Sequence, residues 1–267
     1  YGRSVRPEEQ KRFIDSLLSE AGEVIAPAVQ DGHEFSSKEL AFSHVTVLLE
    51  ETVNLVDPEE GKLIVDATLG GGGHTELMLE RGATVWGIDQ DARRAATLRL
   101  ARFGGRFKTL AGNFRDMEAL LAEQGVDKVD GIIADLGISS HQVDTAERGF
   151  SFREDGPLDM RMGPELRKSA ADIVNSAPEE EIAGILWEYG EERASRAIAR
   201  AIVKARSAAP ITTTLQLAGI VSSVLPRKGK QHPATRTFQA LRIAVNDELG
   251  AVREAMEKAI DCLNPGG

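Results

Sequence analysis

The alternation of short apolar segments with amphipathic segments between residues 62 and 135 restricts the fold of this chain more than any other feature. Four apolar segments, KLIVDA, TVWGID, FKTLAGNF and VDGIIADLG, are separated by stretches whose apolar residues recur at helical spacing. Strands that alternate with helices form mostly parallel sheets with helices on both faces. The alternation therefore predicts an α/β fold with a doubly wound, Rossmann-like sheet.

An inserted helical subdomain is predicted for residues 156–235, where the alternation stops. The segments EEEIAGILWEYG, EERASRAIARAIVKAR and TTLQLAGIVSSVL read as three helices in this region. The stretch from Thr237 to Leu263 then reads as helix again. Its large apolar residues form one stripe: Leu249, Val252, Met256, Ile260 and Leu263.

These patterns divide the chain into a sheet domain and two further parts. We assign residues 44–155 and 236–267 to the sheet domain, 156–235 to the helical insert, and 1–43 to an N-terminal extension and linker. The extension contains a predicted amphipathic helix over residues 7–20. The sequence stops at the turn Pro265-Gly266-Gly267, where a doubly wound sheet would continue, so we expect further strands beyond it.

Composition excludes several classes of protein. No apolar run approaches the roughly 18 residues that a membrane span needs, so no membrane partner is expected. One cysteine, Cys262, excludes an internal disulfide framework and a cysteine-built zinc site. The net charge of −10 argues against nonspecific nucleic-acid binding by the whole surface, although a local basic face remains compatible with RNA binding.

Four consecutive glycines, Gly70 to Gly73, follow the first predicted strand. A glycine loop between a strand and a helix lets a ligand approach the backbone, and Asp89 at the end of the second strand is placed to accept ribose hydroxyls. A dinucleotide fingerprint requires a small third residue, but this sequence has Thr75 or Glu76 there. The spacing from Asp66 to Gly70 instead favours S-adenosylmethionine as the cofactor.

Several longer motifs together resemble one family. They are HVTVLLEE, DATLGGGGHT, GIDQD, GNF, DGIIADLGISSHQVDTAERGFSFREDGPLDMRM, YGEE and HPATRTFQALRIAVNDEL, in this order over residues 44–249. The chain thereby resembles the bacterial 16S ribosomal RNA cytosine-N4 methyltransferase (MraW) family, which has organellar relatives. The resemblance implies a class I methyltransferase sheet, S-adenosylmethionine as methyl donor, and a cytidine N4 amine in small-subunit ribosomal RNA as acceptor.

The resemblance also implies a set of site residues. The cofactor-binding residues are Gly72, Gly73, His74, Asp89, Phe114, Asp135 and Gln142. The residues expected to act on the amine are Asp135, Ser139 and Ser140. The substrate-binding residues are Arg148, Phe150, Arg161, His232 and Arg236. Phe150 is equally compatible with a place in the core, and His74 with a helix cap. No metal ion is required for methyl transfer from a sulfonium.

The chemistry of the amine explains why Asp135 is the leading catalytic candidate. The lone pair of the cytosine amine is delocalised, and an acceptor aimed at the amine hydrogens stabilises the charge that develops on nitrogen. Methylation at ring carbon 5 needs a cysteine nucleophile, and Cys262 lies far in sequence from every motif. The amine lies on the pairing edge, so the base has to be unpaired or flipped out.

Two other functions fit parts of the sequence. A non-catalytic ribosome-assembly factor could keep this fold to bind RNA, and a nicotinamide oxidoreductase could use the glycine loop. The expected partner is small-subunit ribosomal RNA or the small ribosomal subunit, and a homodimer is left open. The expected location is the cytoplasm, with a mitochondrion or plastid as the alternative.

Overall fold

The computed structural model describes residues 46, 48–90, 94–225 and 231–267, with only the backbone at 94, 95, 140 and 141. The predicted N-terminal helix lies outside these residues. Among those described, no helix has the length and apolar character needed to cross a bilayer.

Four parallel strands form the sheet, in the order β3-β2-β1-β4. They are β1 (Leu63–Asp66), β2 (Thr84–Asp89), β3 (Phe107–Ala111) and β4 (Gly131–Ile133). The chain builds outward from β1 to β3 and then returns to place β4 on the other side of β1, where Asp66 pairs with Ile133. This reversal makes the carboxyl ends of β1 and β4 the topological switch point, where ligands bind in such sheets.

Helices cover both faces of the sheet, as predicted. The strand-connecting helices are α1 (Leu49–Val56), α2 (Gly73–Glu80), α3 (Arg94–Leu100) and α4 (Met117–Ala122). One core contains Ile64 and Val85 with residues of α1, α2 and α3. The other contains Val65 and Ile88 with residues of α4 and Cys262. Because neighbouring strand residues face opposite sides, β1 contributes to both cores. The doubly wound α/β prediction is confirmed.

The second half of the chain is helical. Its helices are α5 (Ser140–Asp144), α6 (Ala170–Ser176), α7 (Glu179–Glu188), α8 (Ser195–Arg206), α9 (Thr214–Val224), α10 (Thr235–Asn246) and α11 (Glu248–Cys262). The buried residues of the helical core run from Phe150 to Val245. Helix α10 therefore packs with the helical core, and the assignment of residues 236–267 to the sheet domain stays a prediction.

The prediction of uninterrupted helix from Thr237 to Leu263 is wrong at one residue. Asp247 has φ 47° and separates α10 from α11. An aspartate tolerates this left-handed conformation better than most residues, and the Asp247 carboxylate also pairs with Arg115 at 2.5 Å. After the break, α11 turns Ala251, Ala255 and Cys262 inward. The stripe residues Leu249, Met256 and Ile260 are exposed instead.

Candidate active site

The loop after β1 is organised by the buried carboxylate of Asp66. Its Oδ1 accepts from the backbone N–H of Thr68 at 3.1 Å, and its Oδ2 accepts from the Thr75 hydroxyl at 2.7 Å. Burial raises the pKa of Asp66, and the bonds from Thr75 and Thr68 oppose that rise. Thr75, where a dinucleotide fingerprint needs a small residue, is thus fully buried and committed to Asp66.

The glycine loop is packed between β2 and α3. Gly70 has φ 48° and its N–H donates to Asp89 Oδ2 at 3.0 Å, which fixes the carboxylate at the end of β2 beside the loop. Gly72 has φ 77°, and a Cβ there would lie 2.9 Å from Leu100 Cδ1. Arg99 donates to the Gly71 carbonyl at 2.8 Å. Glycine is therefore favoured at position 72 by its backbone conformation, and a side chain there would also press against the end of Leu100 in α3.

His74 lies in the first turn of α2 and is 6% exposed. Its Nε2 atom is buried and has no hydrogen-bond partner among the described residues. A buried ring nitrogen without a partner costs free energy, about 1–3 kcal/mol, so such an atom needs an explanation. A polar ligand seated against the glycine loop would provide one.

Asp135 lies two residues beyond the end of β4 and is exposed. Its backbone N–H donates to Thr68 Oγ1 at 2.7 Å. Thr68 in turn donates its own N–H to Asp66. Thr68 therefore ties the loop that carries Asp135 to the loop that carries the glycines, across the switch point. Sequence reasoning did not single out Thr68, although a hydroxyl between Asp66 and Gly70 was the available signal.

Ser139 and Gln142 form a reciprocal pair at the start of α5. The Ser139 hydroxyl accepts from the Gln142 N–H at 3.3 Å, and Gln142 Oε1 accepts from the Ser139 N–H at 3.1 Å. These bonds cap a short helix directly after the Asp135 loop. The predicted roles of both residues in the site stay predictions, and the Ser140 side chain lies outside the described residues.

The two aromatic side chains predicted to stack on the adenine and on the RNA base both pack on hydrophobic cores of the protein. Phe114 is half-buried against the core that contains Val65 and Ile88. Phe150 is 7% exposed and belongs to the helical core. Adenine stacking on Phe114 remains a prediction. Stacking of the RNA base on Phe150 is also still a prediction. Such stacking would require the Phe150 side chain to leave the helical core.

The block from Glu147 to Met162 folds back on itself. Arg148 donates to the carbonyl oxygens of Arg161 at 2.9 Å and Met162 at 3.3 Å. Arg161 binds both carboxylate oxygens of Asp159, each at 2.7 Å. These hydrogen bonds hold the block together, and they use some of the N–H groups of the Arg148 and Arg161 guanidinium groups. Both arginines therefore have a structural role within this block. Their contact with RNA stays a prediction.

His232 and Arg236 flank the start of α10. The His232 Nδ1 atom accepts from the Ala234 N–H at 3.1 Å, and its ring centroid lies 4.6 Å from that of Phe152. Arg236 is exposed and donates to the Glu191 carbonyl at 2.7 Å. The structure thus brings Gly72, Gly73, His74, Asp89 and Asp135 to the carboxyl edge of the sheet. It places Phe150, His232 and Arg236 on the helical half.

Cys262 does not have the environment of a nucleophile. It is buried in the core that contains Val65 and Ile88, and burial raises the pKa of its thiol. Reactive cysteines have lowered pKa values and access to solvent. Within the part of the chain that the structure describes, no group of three or more His, Cys, Asp or Glu side chains is arranged to hold a metal ion.

Several proteins similar in sequence to this chain are named as ribosomal RNA methyltransferases. The ribosomal RNA small subunit methyltransferase H of Deinococcus radiodurans is 55% identical over 227 residues, covering 85% of this chain and 72% of the relative. That of Geobacter sulfurreducens is 52% identical over 236 residues, covering 85% and 76%. A solved putative RNA methyltransferase from Pyrococcus horikoshii is 23% identical, with a TM-score of 0.29 over 50% of this chain and 69% of that one.

The profile of the MraW methylase family matches residues 41–267. The match spans the glycine loop, the Asp135 loop and the whole helical half. Together with the parallel sheet and its switch point, it shows that this chain belongs to the MraW methylase family.

Proposed function

We propose that this chain is a methyltransferase that uses S-adenosylmethionine to methylate the N4 amine of a cytidine in small-subunit ribosomal RNA. Family membership and the names of its relatives support the substrate class. The observation that carries the proposal is the bond from the Asp135 N–H to Thr68 Oγ1. It holds an exposed carboxylate next to the glycine loop at the switch point.

The residues around the glycine loop fit S-adenosylmethionine better than a dinucleotide. The buried, unpartnered His74 Nε2 provides a polar contact for the ligand, and Asp89 lies where a ribose would be held. The Thr75 hydroxyl donates a hydrogen bond to Asp66. Thr75 thus occupies the position of the third glycine in a dinucleotide fingerprint, which in those proteins allows the helix and the strand to pack closely. We assign Gly72, Gly73, His74, Asp89, Phe114, Asp135 and Gln142 to the cofactor.

Asp135 is the residue that we expect to act on the amine. When bound, S-adenosylmethionine supplies a methyl group that its positively charged sulfur already activates. The Asp135 carboxylate accepts a hydrogen bond from the amine, which increases electron density on N4 and stabilises its developing positive charge. We expect the same carboxylate to take the proton that the amine loses. Ser139 and Ser140 are second candidates, because their loop follows Asp135 directly.

The helical half is assigned to the RNA. Its residues Arg148, Phe150, Arg161, His232 and Arg236 are the proposed substrate contacts, and the domain assignment of 156–235 as a recognition insert belongs to the same proposal. A base with its pairing edge exposed is required, so single-stranded or flipped-out RNA is the expected substrate form. We place the protein in the cytoplasm, with an organelle as the alternative.

Two measurements test the proposed function. Isothermal titration should detect binding of S-adenosylmethionine and none of a nicotinamide dinucleotide. Methyl transfer to small ribosomal subunits should fall by about a hundredfold or more in Asp135→Ala, the size typical for loss of one transition-state contact. Asp127→Ala, an exposed carboxylate before β4, is the matched control.

The outcomes separate enzyme from assembly factor. RNA binding without methyl transfer by the wild type would identify a non-catalytic assembly factor. Equal methylation by the wild type and Asp135→Ala would remove Asp135 from its role. Methylated nucleotides are mapped by mass spectrometry, and a product other than N4-methylcytidine would refute the proposed acceptor atom.

A further inference from the structure

An open cleft lies on the helical half, between α7, the turn after it and the start of α10. Its volume is about 720 Å³, and it is lined by Gly184, Trp187, Glu188, Glu191, Arg193 and Arg236. Of these residues, only Arg236 belongs to the substrate contacts proposed from the family resemblance. The lining combines one large aromatic ring with two arginines and two glutamates.

One wall is a face of α7 that leaves a tryptophan in solvent. Gly184, Trp187 and Glu188 are three and four residues apart, so they share this face. Trp187 is 61% exposed. A Cβ at Gly184 would meet no atom within 4 Å, so packing does not require glycine there. A glycine inside a helix costs about 1 kcal/mol relative to alanine, and here its effect is to leave the space beside the indole ring open.

The opposite wall is a tightly built turn. A Cβ at Gly190 would lie 2.7 Å from the Arg236 carbonyl oxygen, so only glycine lets the turn approach α10 this closely. Glu191 follows with φ 48°, an unfavourable conformation for this residue type. Its carbonyl accepts from Arg236 Nη1 at 2.7 Å. Strained backbone persists where the surrounding structure holds it, and it clusters at binding sites.

Arg193 supplies a second cation on the same cleft. Its guanidinium makes no hydrogen bond or ion pair with any described residue. The charges on the lining are two positive and two negative, so the cleft does not match a purely anionic or purely cationic ligand. It matches a ligand that carries an anionic group, an aromatic face and amino hydrogens together.

We propose that this cleft binds an unpaired nucleotide of the ribosomal RNA substrate. The base stacks on Trp187, its amino edge donates to the carboxylates of Glu188 or Glu191, and Arg193 and Arg236 hold the adjoining phosphates. Aromatic stacking and arginine–phosphate contacts are the usual means of holding single-stranded RNA. The proposal rests on the proposed function for its substrate, but its first test does not require activity.

The first experiment uses the two tryptophans of the chain, Trp86 and Trp187. In a Trp86→Phe variant, Trp187 is the sole indole fluorophore. A short single-stranded oligoribonucleotide of mixed sequence should quench it, and a duplex of the same length should not. RNA binding detected by filter retention without any change in Trp187 fluorescence would overturn the proposal.

The second experiment measures methyl transfer to protein-free small-subunit RNA and to small ribosomal subunits. Trp187→Ala should raise the KM for RNA about tenfold, the order expected for loss of one stacked base. Trp187→Phe should recover most of this loss. The kcat and the affinity for S-adenosylmethionine, measured by titration, should stay unchanged in both. Thermal melts identify any variant that fails to fold.

Arg193→Gln tests the phosphate contact separately. It should lower the slope of log KM against log salt by about 0.7, the value for one phosphate contact on a single strand. Arg253→Gln, an exposed arginine on α11, is the matched control and should leave the slope unchanged. If Trp187→Ala and Arg193→Gln behave like Arg253→Gln while the wild type methylates RNA, the cleft proposal fails alone.

Two further outcomes are decisive. A defect seen with ribosomal subunits and absent with protein-free RNA would assign the cleft to a ribosomal protein and overturn the proposal. No methylation by the wild type would refute the proposed function, while Trp187 quenching by single-stranded RNA would still support the cleft as a nucleotide site.

Discussion

Among individual residues, Asp66 connects several features of the candidate site. Its carboxylate is fully buried and receives hydrogen bonds from Thr68 and Thr75. Through Thr68 it also supports the backbone of Asp135. Asp66 can therefore set the position of Asp135, the carboxylate that we propose acts on the amine, without touching the substrate itself. Asp66 is a positioning residue in this sense.

Replacing Asp66 should separate its hydrogen bonds from its charge. Asp66→Ala leaves the Thr68 N–H and the Thr75 hydroxyl without a partner, so the free energy of unfolding should fall by about 2–4 kcal/mol. Asp66→Asn keeps an acceptor and removes the cost of burying a charge, so its unfolding free energy should stay close to that of the wild type. Urea unfolding followed by circular dichroism measures both. Equal stability of Asp66→Ala and the wild type would contradict the role given to Asp66.

The pair of Asp159 and Arg161 should make stability depend on pH. Hydrogen bonds from the Arg161 guanidinium hold the pKa of Asp159 below its usual value. A carboxyl group whose pKa is lower in the folded state stabilises the fold above its unfolded pKa, about 3.9. That stability is lost as the pH falls through the folded pKa.

The expected result is therefore a smaller acid effect in Asp159→Asn. Between pH 7 and pH 3, the urea midpoint of the wild type should fall further than that of the variant. Asp127→Asn, at an exposed carboxylate, should follow the wild type. Parallel curves for the wild type and Asp159→Asn would show that the pair does not contribute to stability.

Among the elements, the glycine loop is the one whose sequence and structure agree most closely. Its strand, its turn and its helix α2 were all predictable, because apolar segments and glycines mark them in the sequence. The contact of Gly72 with Leu100 of α3 was not predictable, since it depends on how two distant segments pack. The glycine run therefore also takes part in the packing of α3.

Gly72→Ala should separate backbone strain from steric conflict. The new Cβ would meet Leu100 Cδ1 at 2.9 Å while φ is 77°. Gly125→Ala is the control, because Gly125 has φ 72° and a Cβ added there would meet no atom within 4 Å. Both variants carry a left-handed strain of about 1–2 kcal/mol, and Gly72→Ala should lose measurably more in chemical unfolding. Equal losses would mean that Leu100 adjusts without cost.

Helix α11 shows where pattern reading fails at this scale. Large apolar residues at helical spacing predicted a buried stripe, yet Leu249, Met256 and Ile260 are exposed. The helix instead buries Ala251, Ala255 and Cys262. Small residues allow the helix to lie close to α4. Periodicity identifies which residues share a face, but it does not say which of two apolar faces meets the core.

At the scale of the whole molecule, buried polar contacts fix how the helical half is folded near helix α10. Asn246, at the end of α10, donates to the Met160 carbonyl at 2.8 Å and accepts from the Met162 N–H at 2.7 Å. Met160 itself is buried with φ 65°. Asn246 thus fastens the conformation of the Asp159–Met162 block just before the chain returns to the sheet.

Loss of Asn246 should weaken the whole fold. Asn246→Ala leaves a buried carbonyl and a buried N–H without partners, so unfolding should cost about 2–4 kcal/mol less. Gln239→Ala, at an exposed position on the same helix, should have almost no effect. Single-tryptophan variants that retain Trp86 or Trp187 report separately on the sheet and the helical half. An unchanged urea midpoint at both probes would refute this role.

The sequence predicted the sheet, its helices and the helical half from periodicity alone, and the family from its motifs. The part that escaped prediction is made of contacts between segments far apart in the chain. The packing of α10 on the helical core, the Thr68–Asp135 bond and the contacts of Arg148 with its own block all depend on three-dimensional packing. Spacing along the chain does not encode such packing.

The Thr68–Asp135 bond has a practical consequence for redesign. Anyone wishing to retarget this scaffold to a different acceptor would be tempted to exchange the segment after β4 as an independent module. That segment shares a hydrogen bond with Thr68 in the loop that carries the glycines, 67 residues earlier in the chain. A graft of the segment after β4 without Thr68 would leave the backbone of its new carboxylate without this hydrogen bond. The two loops should therefore be transplanted together.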